Sequence, residues 1–250
     1  MQILFSQKIG KEAAGFVKEK EVFQMVKIKV CGLTTKEDCV IMNGFKPDYC
    51  GFVFAGGRHY LTDQMAGELR NTLDISIPTV GVFVDDDMDH IVDLYNSAII
   101  QIIQLHGHED AAYINLLREK IAASSPDKKR HYDEFGPGAP IMKAIRVKDG
   151  SEFENVDDLP VDMLLLDNFK ENLPGGTGER FELSMIPKLN KPYFLAGGMS
   201  ADNIPQALAQ SRPYAIDVSS AVETDGHKDW KKVEKLMRVV EAYRPQSQFV

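Results

Sequence analysis

Cysteine is scarce in this sequence of 250 residues, which has three, Cys31, Cys39 and Cys50, and no CxxC pair. So sparse a set argues against a disulfide-stabilised scaffold and against a structural zinc site. No apolar run approaches the roughly 20 residues that a membrane-spanning helix needs. Residues 1–25 also lack the apolar core and cleavage site of a signal peptide. We therefore predict a cytoplasmic protein with no membrane partner.

An excess of basic residues is also missing, since 29 Lys and Arg stand against 37 Asp and Glu, for a net charge of −8. Without a Lys/Arg-rich run, a nucleic acid is a poor candidate partner. The net charge of the whole chain does not determine the local charge of a pocket, however, and backbone N–H groups can still bind an anionic metabolite there. Hydrophobic residues make up an ordinary 44%, and a chain of this length can bury a sizeable core.

Eight short apolar runs recur along the chain, each at most eight residues long and rich in Val, Ile, Leu and Phe. They are VKIKVC at 26–31, DYCGFVF at 48–54, PTVGVFV at 78–84, IIQIIQL at 99–105, PIMKAIRV at 140–147, DMLLLD at 162–167, PYFLAGG at 192–198 and YAIDVSS at 214–220. Such runs are typical of parallel strands covered on both faces. Helical spacing of apolar residues is found at 34–44, 62–72, 86–97, 109–122, 200–210 and 228–243. Thr34 or Thr35 is the candidate N-cap of the first of these helices, and Thr62 that of the second. The alternation predicts an α/β fold, a single (β/α)8 TIM barrel over residues 26–250, with a doubly wound open sheet as the alternative.

Two segments fall outside this rhythm. Residues 1–25 precede the first strand, and we expect a short N-terminal extension there. We also hypothesise that Met25, which directly precedes the first strand, is the true initiator. Residues 123–139 are polar and rich in Pro and Gly, which predicts a surface loop.

In a barrel of this kind, chemistry takes place at the carboxyl ends of the strands. Glycine-rich turns follow the sixth and seventh runs, and a pair of serines ends the eighth. Such turns let backbone N–H groups approach an anion, and many barrels bind phosphate after strands seven and eight. Glycine is common at any strand-to-helix turn. Two glycine-rich turns and a serine pair at three adjacent strand ends nevertheless favour a phosphate site. Its candidate residues are Gly175, Gly176, Thr177, Gly178, Gly197, Gly198, Ser219 and Ser220.

Cys31 and Asp167 are the candidate base and acid. Asp167 closes a run of leucines, where burial would raise its carboxyl pKa and suit a general acid. Cys31 can act as a base only as a thiolate, so we expect a depressed pKa, with Lys29 as the cationic neighbour on the same strand face. The plainer interpretation of Cys31 is a buried core thiol. The plainer interpretation of Asp167 is an N-cap for the segment that follows it. We interpret Cys39 and Cys50 as structural.

No metal site is predicted, because the pair formed by His106 and His108 has no further ligand at a suitable spacing. The acidic run at 85–87 lacks the spacing of a calcium-binding loop and predicts an exposed loop with an N-cap for the third helix.

The strand-end motifs resemble those of the phosphoribosylanthranilate isomerase family, in the same order, over about residues 26–245. The matching pieces are KVCGLT at 29–34, GFVF at 51–54, VGVFV at 80–84, QLHG at 104–107, LLLD at 164–167, GGTG at 175–178, LAGGMSADNI at 195–204 and DVSSAVE at 217–223. The resemblance implies that Cys31 is the general base and Asp167 the general acid. It implies that the chain catalyses an Amadori rearrangement of N-(5-phosphoribosyl)anthranilate in tryptophan biosynthesis, with no cofactor and no metal. We expect the enzyme to be a monomer or a homodimer. The resemblance also implies that Gln104 and His106 line the substrate pocket and that the glycine and serine turns bind the phosphate.

Two departures from the family pattern stand out. Members usually carry an arginine directly before the residue that matches Tyr60, where it holds the anthranilate carboxylate. Here His59 is in that slot and Arg58 is one position earlier, so either side chain is a candidate for the carboxylate. Ala221 also replaces the glycine of the usual DVSSG.

Two alternatives share the predicted fold. The histidine-pathway phosphoribosyl isomerase carries an aspartate where this chain has Cys31, and it has two similar phosphate sites where we find one glycine-rich cluster. A non-catalytic barrel that binds a phosphorylated metabolite would not need both Cys31 and Asp167. Both alternatives are disfavoured.

Overall fold

The computed structural model describes residues 26–124, 138–168 and 183–244. Within them, eight parallel strands hydrogen-bond in chain order and close into a barrel, with the first strand paired to the eighth. The strands are β1 (Lys27–Cys31), β2 (Tyr49–Val53), β3 (Thr79–Phe83), β4 (Ile102–Leu105), β5 (Ile141–Val147), β6 (Met163–Asn168), β7 (Tyr193–Leu195) and β8 (Ala215–Val218). Seven of the eight predicted runs contain one of these strands completely, and β6 extends one residue beyond the sixth run, to Asn168. The (β/α)8 prediction is confirmed, and the open sheet is excluded.

The predicted helices are also present in the described residues. They are α1 (Lys36–Phe45), α2 (Asp63–Thr72), α3 (Met88–Asn96), α4 (Ala111–Ser124), α5 (Ile204–Gln210) and α6 (Trp230–Glu241). Three of them begin after predicted caps. Thr35 forms a capping box with Asp38, while Thr62 and Asp87 each accept a backbone N–H of the first turn. These bonds satisfy donors that a helix start leaves open, which is why α1, α2 and α3 begin at those positions.

The connections after β5 and β6 carry weak helical patterns in the sequence. The structure has two 3₁₀ turns after β5, at Ser151–Phe153 and Val156–Asp158, and another at Leu183–Met185 before β7. The predicted extension at 1–25, most of the predicted loop at 123–139 and the GGTG turn at 175–178 lie outside the described residues.

A small hairpin follows β8 that the sequence analysis did not predict. Its strands are β9 (Glu223–Thr224) and β10 (His227–Lys228), which pair antiparallel. The turn residues Asp225 and Gly226 both have positive φ, 52° and 85°, as a two-residue type I′ turn requires. The Asp-Gly pair is the signal from which the hairpin could have been found. Because Lys228 belongs to β10, the last helix starts at Trp230 rather than at the predicted residue 228.

The buried side chains form two separate clusters. The larger one lies between the strands and the surrounding helices. The smaller one fills the barrel interior with Tyr49, Val80, Ile102, Met142, Ala144, Met163, Leu165, Phe194, Ala196 and Ala215. The interior is therefore a packed core rather than a channel, and the space for a ligand is at the carboxyl-terminal mouth.

Candidate active site

Strand alternation places polar side chains directly above this inner cluster. On β4, Gln104 is two residues beyond the buried Ile102, and on β6, Asp167 is two residues beyond Leu165. Successive residues of a strand point to opposite faces, so residues two apart share the interior face. Cys31 occupies the corresponding end of β1. The structure thus brings the predicted base and acid to one mouth, on strands from opposite halves of the barrel.

Lys29 lies fully buried between these groups. Its Nζ donates hydrogen bonds to Asp217 Oδ2 and to Gln104 Oε1, each at 2.9 Å. The β1–β8 register sets Lys29 directly beside Asp217, which brings the two charges together. Burial raises the pKa of the Asp217 carboxyl, and the Lys29 cation opposes that rise.

Gln104 and His106 connect this ion pair to the predicted acid. Gln104 Nε2 is 2.9 Å from His106 Nδ1, and His106 Nε2 is 3.3 Å from Asp167 Oδ2. Both residues were predicted to line the substrate pocket, and both lie at the mouth beside Asp167. A continuous polar chain therefore runs from Lys29 to Asp167.

The electrostatic surroundings of Cys31 differ from the sequence expectation. Burial raises the pKa of the thiol above its usual range, and the nearby carboxylate of Asp217 adds to that rise. Lys29 and Lys228 act in the opposite direction without reversing it. The expected depressed pKa is therefore wrong for the free enzyme, because the cost of burying a thiolate exceeds the attraction of two cations.

The expectation of a poorly solvated Asp167 is also wrong. Its side chain is 29% exposed, because the strand end rises above the apolar interior and faces the open mouth. Cys39 and Cys50 are buried, as expected for structural thiols. Burial raises the pKa of Cys39 to about 12.

The loop after β2 brings Arg58 and His59 together on one partner, Glu223. Arg58 Nη2 is 2.5 Å from Glu223 Oε2. His59 Nε2 is 3.0 Å from Glu223 Oε1, with an alignment too poor for a hydrogen bond. The His59 ring also packs on Gly32, where an added Cβ would be 2.9 Å from the ring. The loop therefore folds over the end of β1, next to Cys31.

A buried lysine ties this loop to the candidate base. Lys228 Nζ donates to Glu223 Oε1 and to the backbone carbonyl of Cys31, each at 2.6 Å. Sequence reasoning did not single out Glu223 or Lys228, because the contact of Lys228 with Cys31 exists only in the folded chain.

The predicted phosphate residues are only partly described. Gly197 and Gly198 have φ of 81° and 71°, a left-handed backbone that favours glycine. A Cβ at Gly198 would meet open space, so the turn is exposed to a ligand. Ser219 and Ser220 follow β8 at the start of a 3₁₀ turn that ends at Val222. All four residues lie after β7 and β8, the usual phosphate position of such barrels.

Within residues 26–124, 138–168 and 183–244, no three His, Cys, Asp or Glu side chains are grouped so that they could hold a metal. His106 and His108 do not act as a pair, because His106 contacts Asp167 and His108 contacts Asp85. Among the helices of this part of the chain, none is both long and apolar enough to cross a bilayer.

A candidate acid–base pair and a candidate phosphate turn at the mouth of a closed parallel barrel are typical of TIM-barrel enzymes that act on small phosphorylated molecules. Comparison with protein families makes the assignment specific. The family model described as N-(5'-phosphoribosyl)anthranilate (PRA) isomerase matches residues 28–239, and the chain belongs to that family.

Individual relatives agree with this assignment. The N-(5'-phosphoribosyl)anthranilate isomerase of Endomicrobium trichonymphae is 39% identical over 86% of this chain and 98% of its own length. That of Clostridium acetobutylicum is 37% identical over the same shares of the two chains. Among solved structures, the phosphoribosyl anthranilate isomerase of Thermotoga maritima superposes with a TM-score of 0.71 at 28% identity, covering 87% of this chain and all of that one.

Proposed function

We propose that this chain catalyses the Amadori rearrangement of N-(5'-phosphoribosyl)anthranilate to 1-(2-carboxyphenylamino)-1-deoxyribulose 5-phosphate, a step of tryptophan biosynthesis. The observation that carries the proposal is the placement of Cys31 and Asp167 on the interior face at one mouth of the barrel, in a chain of this family. The proposed partner is this small molecule and not a nucleic acid or a membrane.

In the first step, Asp167 donates a proton to the ribose ring oxygen, the bond from that oxygen to C1 breaks, and a protonated Schiff base forms. In the second step, the Cys31 thiolate removes the proton from C2, and the electron pair moves toward the nitrogen to give an enolamine. Tautomerisation of the enolamine then gives the ketose product. Each step needs a positioned proton donor or acceptor, which is the role of general acid–base catalysis.

The raised pKa of Cys31 fits this order of events. In the free enzyme the thiol keeps its proton because burial disfavours the anion. The protonated Schiff base then places a positive charge in the pocket, and an opposite charge within a few ångströms favours the thiolate. We propose that the base is formed when the substrate ring opens, with the thiol proton released to water at the mouth, where Cys31 is partly exposed.

We assign the anthranilate carboxylate to Arg58 rather than to His59. Arg58 is 57% exposed at the mouth and already holds a carboxylate, that of Glu223. A guanidinium has five N–H donors, so it can bind a second carboxylate. Burial lowers the pKa of His59, which leaves a neutral imidazole at neutral pH and a weaker partner for an anion.

The phosphate is assigned to Gly197, Gly198, Ser219 and Ser220. Their position after β7 and β8, with the open left-handed turn at Gly198, supports this role. The GGTG turn at 175–178 remains part of the proposal on the strength of its sequence alone.

The test is the loss of anthranilate fluorescence when purified protein meets freshly generated N-(5'-phosphoribosyl)anthranilate. We expect turnover by the native chain and a drop in kcat of about 10² to 10⁴-fold in Cys31→Ala and in Asp167→Asn. Cys39→Ala, which removes a buried thiol of α1, is the matched control and should keep its activity. Absence of turnover by well-folded native protein would refute the proposal.

A further inference from the structure

Lys29 makes two hydrogen bonds at the centre of the mouth, on the same strand face as Cys31. Its Nζ donates to Asp217 Oδ2 and to Gln104 Oε1. Cys31 lies two residues further along β1, and residues two apart on a strand share one face. An ammonium group can only donate hydrogen bonds, so Lys29 directs its donors to groups on β8 and β4 directly below the candidate base.

The lysine also fixes the direction of the hydrogen bonds beyond it. Because Lys29 can only donate, Gln104 must turn its Oε1 toward it, and this leaves the Gln104 amide nitrogen to donate to His106 Nδ1. An accepting Nδ1 carries no proton, so the proton of the neutral imidazole is on Nε2. His106 Nε2 then donates to Asp167 Oδ2.

This direction matters for an acid. When Asp167 Oδ2 accepts from His106, the proton that Asp167 transfers must be on its other oxygen, Oδ1. The bond from His106 also holds the carboxyl group in one orientation. The same ammonium lies on one face of β1 with the thiol that must become an anion in the next step.

We infer that Lys29 is a positioning residue that couples the two catalytic groups, because it sets the tautomer of His106 behind Asp167 and stabilises the anionic form of Cys31. The inference rests on the proposed function for its role in turnover. The tautomer and the thiol reactivity can be measured without substrate.

Lys29 keeps its positive charge in the interior, as this role requires. Burial alone would lower its pKa, but the neighbouring Asp217 and Cys31 outweigh burial and raise it above the ordinary value. Asp217 compensates the cation, so the pair is stable in the interior when Cys31 is protonated. Removal of Lys29 alone would strand the Asp217 carboxylate and endanger folding, so the informative variant changes both residues.

The experiment compares Lys29→Met/Asp217→Asn with Asp217→Asn and with the native protein, because the loss of the Asp217 carboxylate by itself favours the Cys31 thiolate. One readout is the rate of Cys31 alkylation by iodoacetamide against pH, with the modified residue identified by peptide mass. The other is the ¹⁵N NMR signature of His106, assigned by its loss in His106→Gln. Lys27→Met is the matched control, because Lys27 lies on the same strand face as Lys29 but at the opposite end of the barrel.

We expect Cys31 to be alkylated about tenfold more slowly at pH 7 in the double variant than in Asp217→Asn, since these two proteins differ only in the Lys29 cation and a tenfold smaller thiolate fraction corresponds to about one unit of pKa. We also expect His106 to lose its preference for the Nε2 proton and kcat to fall. Lys27→Met should leave both readouts unchanged.

A fall in kcat with unchanged alkylation and an unchanged His106 signature would overturn the inference and leave Lys29 a purely structural role. If native protein does not turn over substrate but both readouts respond, the proposed function fails while the coupling stands. If the double variant does not fold, Gln104→Met tests the coupling in its place. In Gln104→Met the ¹⁵N signature of His106 must change, because the donor to His106 Nδ1 is removed. An unchanged signature would refute the inference.

Discussion

Gly51 and Cys31 are in direct contact across the β1–β2 pair. A Cβ built on Gly51 would be 2.5 Å from Cys31 Sγ and 3.0 Å from Cys31 Cα. The register places the two residues side by side. No side chain fits at Gly51 unless the sulfur moves, so the glycine of the GFVF motif determines where the candidate base lies.

We therefore predict that Gly51→Ala lowers kcat by about 10²-fold, since a displacement of about 1 Å of a catalytic group can cost that much. Kinetics with N-(5'-phosphoribosyl)anthranilate measures the effect. Gly67→Ala in α2 is the control, because its added Cβ makes only an ordinary 3.7 Å contact with Ile99. Full activity in Gly51→Ala would show that the sulfur position is not critical.

The buried pair formed by Lys228 and Glu223 should be important for stability. Both side chains are almost completely buried, and removal of one partner leaves an uncompensated charge, which typically costs about 3–5 kcal/mol. We predict a loss of this size in the free energy of unfolding for Glu223→Gln, measured by urea denaturation, because it leaves the buried Lys228 ammonium with only the neutral carbonyl of Cys31. Lys228→Met should cost less, since Arg58 still pairs with Glu223. Lys235→Met breaks an exposed pair with Asp202 and should cost about 1 kcal/mol or less.

The double variant Lys228→Met/Glu223→Gln completes this experiment. If the two residues interact as the structure shows, the double variant should lose less stability than the sum of the two single variants. Strictly additive losses would mean that the pair is not coupled.

The barrel was predictable from local patterns, and the electrostatics of the site were not. Short Val/Ile/Leu runs and the caps at Thr35, Thr62 and Asp87 depend on neighbours in sequence, so they could be read directly. The pKa of Cys31 is raised by burial and by the carboxylate of Asp217, which is on β8 near the other end of the chain. A local sequence pattern shows neither of these causes, which is why the expected low pKa was wrong while the position of the thiol at the end of β1 was correct.

His90 links two helices in a way that depends on pH. Its Nδ1 is 3.0 Å from Asp86 Oδ2 and its Nε2 is 2.9 Å from Asp63 Oδ1. Burial acts to lower the pKa of His90, but these two hydrogen bonds outweigh it, and the net shift is upward from 6.5. A raised pKa stabilises the fold fully below the unfolded value of 6.5, and the contribution is lost as pH rises through the folded value.

We predict that His90→Asn lowers the free energy of unfolding at pH 5.5 by about 1 kcal/mol, because the side chain is partly exposed and its ion pairs are screened. At pH 8.5 this electrostatic part of the difference should be absent. Urea denaturation of both proteins at the two pH values measures it. A difference that grows with pH would contradict the assigned direction of the shift.

The last prediction separates the two candidates for the substrate carboxylate. Arg58→Lys keeps the positive charge but loses the planar fork that pairs with a carboxylate, so we expect KM to rise about tenfold with a smaller change in kcat. His59→Gln keeps a polar side chain and should change KM less, because the lowered pKa of His59 already leaves it neutral at neutral pH. Steady-state kinetics at pH 7.5 compares the two variants. Arg238→Lys on the exposed face of α6 is the control for an arginine away from the mouth. A larger rise in KM for His59→Gln than for Arg58→Lys would transfer the carboxylate to His59, and KM in that case should also increase with pH in the native enzyme as the imidazolium is lost.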